Sequence, residues 1–255
     1  MIAWDHGIKQ EDPHAFEDKP DRVRSMFAAI AGAYDLNNRL HSFGLDQRWR
    51  KAVVRACRVR PTDDVLDVAC GTGDLTEAFA RARPRSVTGV DFTPPMLDVA
   101  RRKASRRRRP AGEPEPVYAV GDATALEFPD ASFDVVSIAF GIRNVGDAAA
   151  ALREFRRVLR PGGRLAILEF ATPRNPIVRF GHDLWTRRIM PHTATLLARD
   201  RSGAYHYLPR SVETFLDPDA LAAAVEAAGF RPPRRRPLTL GTCVAHVADV
   251  DPGAG

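Results

Sequence analysis

The chain has 255 residues, of which 44% are hydrophobic and 27% are charged. That composition excludes disordered, collagen-like and coiled-coil proteins, and the length predicts one large α/β domain or two small ones. A net charge of +6 raises the question of nucleic-acid binding. The densest basic run, 101–109, has no aromatic residues between its cationic ones. We therefore interpret it as a solvated surface, leading into a mobile loop at 106–116, and predict no nucleic-acid partner.

Cysteine usage and the first residues bear on cellular location. Cys57, Cys70 and Cys243 are too few and too scattered for a disulfide framework or a metal centre, which indicates reduced thiols in the cytoplasm. Charged residues interrupt the first 20 positions, so we expect a flexible leader over 1–20 and no secretory signal. No apolar run approaches the ~18–20 residues that a spanning helix needs. Any membrane contact would be peripheral, at the inner face of the cell membrane.

The segment 21–60 is predicted to form a helical lid. Apolar residues between Val23 and Ala31 recur at spacings of three and four, which is typical of an amphipathic helix. A second helix is predicted from Asp46 to about Cys57, with Asp46 as its N-cap. A proline-containing turn at 61–64 then ends the lid and opens the core.

After this turn, short apolar strands alternate with amphipathic helices. The predicted strands are Val65–Ala69, Ser86–Val90, Val117–Val120, Phe133–Phe140 and Arg164–Phe170, with a final strand or hairpin over Leu238–Val247. The predicted helices are Leu75–Arg81, Pro94–Lys103, Ala148–Leu159 and Asp219–Ala228. Such alternation is typical of a doubly wound, parallel α/β sheet. We therefore predict one domain over 21–255, whose core at 61–255 carries a helical insert at about 175–210.

The first strand runs into a glycine-rich turn that predicts a nucleotide site. Gly71 and Gly73 allow the backbone to approach a ligand closely. Asp91 ends the next strand 20 positions after Gly71, where a carboxylate can accept both hydroxyls of a ribose. Two cofactors compete for this geometry, because both a dinucleotide and S-adenosylmethionine contain a ribose.

Two residues of the turn favour S-adenosylmethionine. A dinucleotide fingerprint needs a third small residue where this chain has Thr76, so that a helix N-terminus can face a diphosphate. Asp74 adds a negative charge, which suits a cationic amino group better than a diphosphate. An NAD-dependent oxidoreductase remains an alternative at this point.

Several segments resemble one family of enzymes. The turn DVACGTGDL resembles motif I of class I S-adenosylmethionine-dependent methyltransferases. Four others resemble the ubiquinone/menaquinone biosynthesis C-methyltransferase family, namely MFAAIAGAYDLNNRLHSFGLDQRWR, GDATALEFPDASFDVVSIAFGIRNV, ALREFRRVLRPGGRLAILEF and AYHYLPRSV. The resemblance covers roughly Val23 to His246, and FGIRNV is its most specific part. It implies a mostly parallel, seven-stranded, Rossmann-like sheet with an N-terminal helical lid.

The resemblance also implies a cofactor pocket at the carboxyl ends of the strands. The glycine turn would contact the methionine and ribose, Asp91 the ribose, Asp122 the adenine, and Phe140 would border the sulfonium. Asp122 has an alternative role as the cap of a short helix starting at Ala125, and Phe140 has one as a core residue. The implied cofactor residues are Asp67, Gly71, Thr72, Gly73, Asp91, Phe92, Asp122, Ala123, Ala139 and Phe140.

The implied reaction methylates a ring carbon of a reduced, prenylated quinone precursor, such as demethylmenaquinol or a ubiquinone precursor. Arg143 and Asn144 would stabilise the oxyanion and relay the proton, since an arginine stays protonated and cannot be a general base. Arg143 has an alternative role in a structural bridge to Asp122 or Glu169. His41 is a candidate base, with an alternative role as a surface residue.

Phe27, Tyr34 and Trp185 are the candidate substrate contacts. Trp185 belongs to a segment that also carries Arg179, Arg187 and Arg188, so an apolar and basic helix there could rest on an anionic membrane. A small phenolic or polyketide product remains an alternative acceptor, and a non-catalytic cofactor-binding module remains an alternative of another class. The sequence leaves the oligomeric state open, with a homodimer as one option.

Overall fold

A computed structural model describes residues 13, 14, 16, 18–190, 193–195 and 203–253 of the chain. Within them one sheet contains the strands β1 (Asp64–Val68), β2 (Ser86–Asp91), β3 (Val117–Val120), β4 (Phe133–Ala139), β5 (Leu159–Phe170), β6 (Arg234–Leu238) and β7 (Cys243–Asp249). Their spatial order is β3-β2-β1-β4-β5-β7-β6. Only β7 runs antiparallel to its neighbours, β5 and β6. The predicted mostly parallel, seven-stranded sheet is confirmed.

Helices pack on both faces of this sheet. They are α1 (Lys19–Ile30), α2 (Tyr34–His41), α3 (Leu45–Cys57), α4 (Asp74–Ala80), α5 (Pro94–Arg106), α6 (Ala148–Val158), α7 (Pro176–Leu184), α8 (Ala204–Thr214) and α9 (Pro218–Ala227). Successive side chains of β1 point to opposite faces of the sheet. Leu66 and Val68 pack in the apolar cluster that contains residues of α6, and Val65 packs in the cluster that contains residues of α3 and α4. The sheet is therefore buried on two sides, as its apolar strands predict.

The lid differs from its prediction at two helix ends. Lys19 and Pro20, which the sequence places in the leader, already belong to α1, while most of the leader lies outside the described residues. The N-cap of α3 is Gly44, with a φ of 72°, so Asp46 is not the cap. Asp46 instead lies in the first turn and pairs with Arg50, one helical turn further on.

Three other segments differ from their predictions. β5 begins at Leu159 and continues through the Pro-Gly-Gly sequence, with an irregular register against β4. The chain after Asp122 forms a turn rather than a short helix. The loop 106–116 is not simply solvated, because Arg107 and Arg109 both form ion pairs with Glu77 and with Glu113.

The insert lies after β5 and is helical where the structure describes it. A π-helical turn over Trp185–Ile189 extends α7, and α8 follows after a stretch of which the structure describes 193–195. Among the described helices, none is both long and apolar enough to cross a membrane. Tyr207 of α8 and Met96 of α5 pack with Met26 of α1, so α1 is anchored to the core.

Candidate active site

A cavity of about 430 Å³ opens at the carboxyl ends of β1, β2 and β4. This is the edge at which parallel α/β sheets bind ligands. The cavity brings together ten of the predicted site residues: Phe27, Tyr34, Gly71, Asp91, Phe92, Asp122, Ala123, Ala139, Phe140 and Asn144. A smaller cavity of about 30 Å³ shares Tyr34, Ala69, Gly71 and Ala139 with it, and adds Arg50, Asp67, Thr72 and Asp74. The two cavities therefore form one site with a large and a small end.

The glycine-rich turn needs its glycines for two reasons. Gly71 and Gly73 have φ values of 55° and 82°, in the left-handed region that disfavours side chains. A Cβ atom on Gly73 would also lie 2.5 Å from the Tyr118 hydroxyl oxygen. Gly73 lines neither cavity, so its part in the site is to shape the turn that exposes Gly71.

Asp91 joins the end of β2 to this turn. Its carboxylate accepts hydrogen bonds from the backbone N–H groups of Gly71 and Thr93, each at 2.8 Å. Burial raises the pKa of Asp91, and the two backbone bonds partly offset that effect. Each carboxylate oxygen still has capacity for a further donor, which is what a ribose with two hydroxyls requires.

Asp67 is buried beneath the small cavity. The hydroxyls of Thr76 and Ser137 donate to it at 2.7 Å and 2.8 Å. Burial raises the pKa of Asp67 to about 6. This carboxyl group lines the small cavity, next to the glycine turn. Thr76, the residue that departs from the dinucleotide fingerprint, is fixed by this bond, and the electrostatics favour a cationic ligand group.

Thr72 connects the turn to the lid. Its hydroxyl donates to Asp35 of α2, and Lys103 of α5 forms ion pairs with both Asp35 and Asp74. Because Asp35 is adjacent to Tyr34, which lines both cavities, these bonds hold the lid helix over the site. Charged side chains on α2, α4 and α5 thus hold α2 beside the glycine turn.

Arg143 and Asn144 follow β4 but differ in what they face. Asn144 lines the cavity, where its amide donates to the Phe140 carbonyl at 3.2 Å and accepts from the Tyr207 hydroxyl at 2.9 Å. Arg143 is only 3% exposed and does not line the cavity. Its Nη1 lies 2.7 Å from Glu169 Oε1 and donates to the Phe140 carbonyl at 2.8 Å. This bridge to Glu169 agrees with the alternative role of Arg143, and its role in stabilising the oxyanion stays a prediction.

Two further predicted residues lie away from the cavities. His41 Nδ1 is 2.9 Å from the Asn37 carbonyl oxygen, and its Nε2 is 2.8 Å from Thr193 Oγ1. The Trp185 ring packs on Phe43, with ring centroids 5.0 Å apart. Neither His41, at the end of α2, nor Trp185, in the π-helical turn after α7, lines a cavity. The roles of His41 as a base and of Trp185 as a substrate contact therefore stay predictions.

Sequence reasoning missed Arg50. Its guanidinium lines the small cavity, 5.3 Å from the centroid of the Phe140 ring. The only signal in the sequence is the spacing of four between Asp46 and Arg50, which is common on exposed helix faces. Acidic groups at Asp67 and Asp91 together with this cation fit a cofactor that has a ribose and a zwitterionic amino acid.

Comparisons with known proteins show the family of the chain. The model of the ubiE/COQ5 methyltransferase family matches residues 15–249. A demethylmenaquinone methyltransferase from Thermus thermophilus is 45% identical over 225 residues, which cover 88% of this chain and 99% of the relative. A ubiquinone/menaquinone biosynthesis C-methyltransferase, UbiE, from Geobacter sulfurreducens is 41% identical over 240 residues, which cover 91% of this chain and 90% of the relative.

Solved structures show the same fold. An S-adenosylmethionine-dependent methyltransferase from Thermotoga maritima has a TM-score of 0.59 at 16% identity, covering 89% of this chain and 99% of its own. Another from Aquifex aeolicus has a TM-score of 0.57 at 17% identity, covering 79% and 89%. The NAD-dependent alternative is wrong: the chain belongs to the ubiE/COQ5 methyltransferase family, and it is an S-adenosylmethionine-dependent methyltransferase.

Proposed function

We propose that this enzyme methylates a ring carbon of a reduced, prenylated quinone precursor, with demethylmenaquinol as acceptor and menaquinol as product. One observation carries the proposal. The large cavity combines the acidic tip of β2 with an apolar wall that includes Phe27, Met96 and Phe140. The polar end suits a nucleoside, and the apolar wall suits an aromatic ring with its isoprenoid tail. The names of the relatives support this acceptor class and also the benzoquinol precursor of ubiquinone.

The cofactor assignments follow from the lining residues. Asp91 would accept from the ribose hydroxyls, and Asp122 and Ala123 would contact the adenine. Ala139 and Phe140, at the end of β4, would border the reacting groups. Phe92 lies beside Asp91 and would cover the nucleoside, while Gly71 would lie against the amino-acid portion.

The acceptor needs help to lose a proton. A ring carbon of a hydroquinone becomes nucleophilic when a hydroxyl gives up its proton to solvent at the mouth of the cavity, and bound S-adenosylmethionine would supply an electrophilic methyl group. The methylated ring carbon then loses its own proton to solvent, which restores the aromatic ring. Tyr34 and Asn144 line the cavity and can hydrogen-bond that hydroxyl. Burial raises the pKa of Tyr34, so its phenol remains a donor at neutral pH and can stabilise the developing oxyanion.

Arg143 is buried next to Asn144 and does not line the cavity. Its guanidinium and the Asn144 amide both donate to the carbonyl of Phe140. Arg143 would therefore act as a positioning residue, which fixes the orientation of Asn144 and the backbone at the tip of β4. The apolar cavity wall keeps water away from the reacting atoms, which strengthens each of these hydrogen bonds.

The acceptor is tested by product mass. Purified enzyme with S-adenosylmethionine and reduced demethylmenaquinone should give a product heavier by one methyl group on the ring. The benzoquinol analogue should react more slowly, and a tailless phenol should react slowest because it leaves the apolar wall unfilled. Preferential methylation of the small phenol would contradict the proposal and favour a natural-product acceptor.

We also propose that the enzyme works on the inner face of the cell membrane. Three large apolar side chains are mostly exposed near the insert: Ile177 at 83%, Phe180 at 74% and Phe43 at 72%. The contact of Phe43 with Trp185 places the lid beside the π-helical turn, which extends the helix that carries Ile177 and Phe180 one turn apart. Arg179 and Arg188 lie in the same segment. An apolar face with nearby cations suits an anionic lipid surface.

Vesicle binding tests the membrane proposal. The double variant Ile177→Glu and Phe180→Glu should lose at least about tenfold in affinity for phosphatidylglycerol vesicles, because two inserting side chains become charged. Turnover of a short-tailed, water-soluble quinol should stay unchanged. Leu240→Glu, at an equally exposed site on the β6–β7 turn, serves as the matched control and should bind as the wild type does. Equal vesicle binding by all three proteins would exclude this face as the membrane contact.

A further inference from the structure

The small cavity carries an unusual balance of charge for its size. Arg50 contributes a cation, while Asp67 and Asp74 contribute acidic groups. Burial raises the pKa of Asp67, and the positive charge of Arg50 opposes that effect. Burial also acts on Asp74, but the positive charges of Lys103 and Arg50 outweigh it and lower the pKa of that group. The three ionisable groups thus interact across one small space. A ligand group that enters this space must carry both signs of charge or be repelled by one of the walls.

Arg50 is bound on one side only. Its Nη1 lies 2.8 Å from Asp46 Oδ2, and the side chain is buried, with the residue only 7% exposed. The Nε atom is buried and has no hydrogen-bond partner in the described structure. A buried guanidinium N–H without a partner is costly, because its hydration has been lost and not replaced. The cavity that it lines is the place where a partner can be supplied.

Asp46 holds Arg50 in position independently of any ligand. Its carboxylate also accepts from the Ser42 hydroxyl at 3.1 Å and from the Gln47 amide at 2.9 Å. Three donors therefore fix Asp46, and Asp46 in turn fixes one nitrogen of Arg50. The remaining side of the guanidinium is free to make the parallel pair of hydrogen bonds that arginine forms with a carboxylate.

We propose that Arg50 binds the carboxylate of the amino-acid portion of S-adenosylmethionine, with Asp46 as its positioning residue. Asp67 and Asp74 then face the ammonium group of the same amino acid. This pairing satisfies the unpartnered Nε of Arg50 and places each charged end of the amino acid against groups of the opposite sign. It rests on the identity of the cofactor and is independent of the methyl acceptor.

The test compares two cofactors that differ only in this carboxylate. Calorimetric titration would measure the binding of S-adenosylmethionine and of decarboxylated S-adenosylmethionine, without acceptor, to wild type and to Arg50→Met. The variant should bind S-adenosylmethionine roughly 10- to 100-fold more weakly, the scale of hydrogen bonds between charged groups. Its affinity for the decarboxylated cofactor should change by less than about twofold, because that ligand lacks the group that Arg50 binds.

Two further variants keep the outcome decisive. Arg48→Met removes an exposed arginine from the same helix and should leave both affinities unchanged. Arg50→Met with Asp46→Asn avoids a buried unpaired carboxylate, so it reports on binding if the single variant fails to fold. An equal loss of affinity for both ligands would show that Arg50 only maintains the shape of the pocket, and it would overturn the proposal. Unchanged affinity for S-adenosylmethionine would overturn it as well.

Discussion

Arg143→Ala is expected to lower the free energy of unfolding by about 3–5 kcal/mol, the usual cost of removing one partner of a buried ion pair. Arg143 and Glu169 are both almost completely buried. One oxygen of Glu169 has no partner within the described structure, so the carboxylate depends on its other oxygen for compensation. Urea unfolding of the wild type and the variant measures the difference.

The loss of stability in Arg143→Ala should be larger at high pH than at low pH. Burial already raises the pKa of Glu169, and the positive charge of Arg143 opposes that effect. Without Arg143 the pKa in the folded state rises further above its unfolded value. The folded variant then binds more protons than the unfolded chain, so its stability falls as pH rises. We therefore expect a smaller deficit at pH 5 than at pH 8, and an equal deficit at both would contradict the ion-pair explanation.

A double variant separates stability from positioning. Arg143→Ala with Glu169→Gln removes the buried charge and should recover most of the lost stability. Turnover should remain reduced by roughly tenfold or more, because Asn144 and the Phe140 carbonyl lose the donor that orients them. Recovery of full turnover together with stability would show that Arg143 has a structural role only.

Asp91→Ala is expected to weaken S-adenosylmethionine binding by about 100-fold or more. Two hydrogen bonds from the ribose to a charged acceptor account for most of this loss, since each is worth ~1.5–3 kcal/mol. The variant also removes the bond that ties Gly71 to β2, so the glycine turn loses an anchor. Calorimetric titration measures the affinity.

The pattern across cofactors distinguishes Asp91 from Arg50. Decarboxylated S-adenosylmethionine keeps its ribose. Asp91→Ala should therefore lower the affinity for this ligand by the same factor as the affinity for the intact cofactor. Asp98→Ala, an exposed carboxylate on α5, is the control and should bind both ligands as the wild type does. Wild-type affinity in Asp91→Ala would remove this residue from the cofactor site.

Parts of the site with local causes could be predicted from the sequence. Gly71 and Gly73 are needed by the backbone of one turn, and Asp91 follows at a spacing that the strand–helix–strand unit imposes. Alternating and continuous apolar runs predicted the strands β1 to β5, because a buried strand leaves a direct compositional signal. The resemblance of FGIRNV to a known family placed Asn144 near the cofactor site, and the structure finds it in the cavity wall.

Side-chain partners that are distant in the chain could not be predicted in this way. Arg107 and Arg109 read as solvated arginines, yet they pair with Glu77 of α4, some 30 positions earlier. A run of basic residues in the sequence gives no information about such ion pairs. The acidic partner is brought near by the packing of helices, and its distance along the chain does not reveal it. The same holds for Trp185, whose partner on the lid is Phe43.

The sequence by itself determined the fold class, the family and the cofactor. Periodicity predicts the fold class, the glycine turn with its acidic residues favours the cofactor, and the family follows from the resemblance of several segments between Val23 and His246. Only the tertiary structure decided the direction of the charged side chains. Arg143 turns away from the cavity because Glu169 of the neighbouring strand β5 binds it, and Arg50 turns into the site because α3 packs beside the glycine turn. A buried charge goes where its counter-charge lies, and that position is set by the packing of the whole domain.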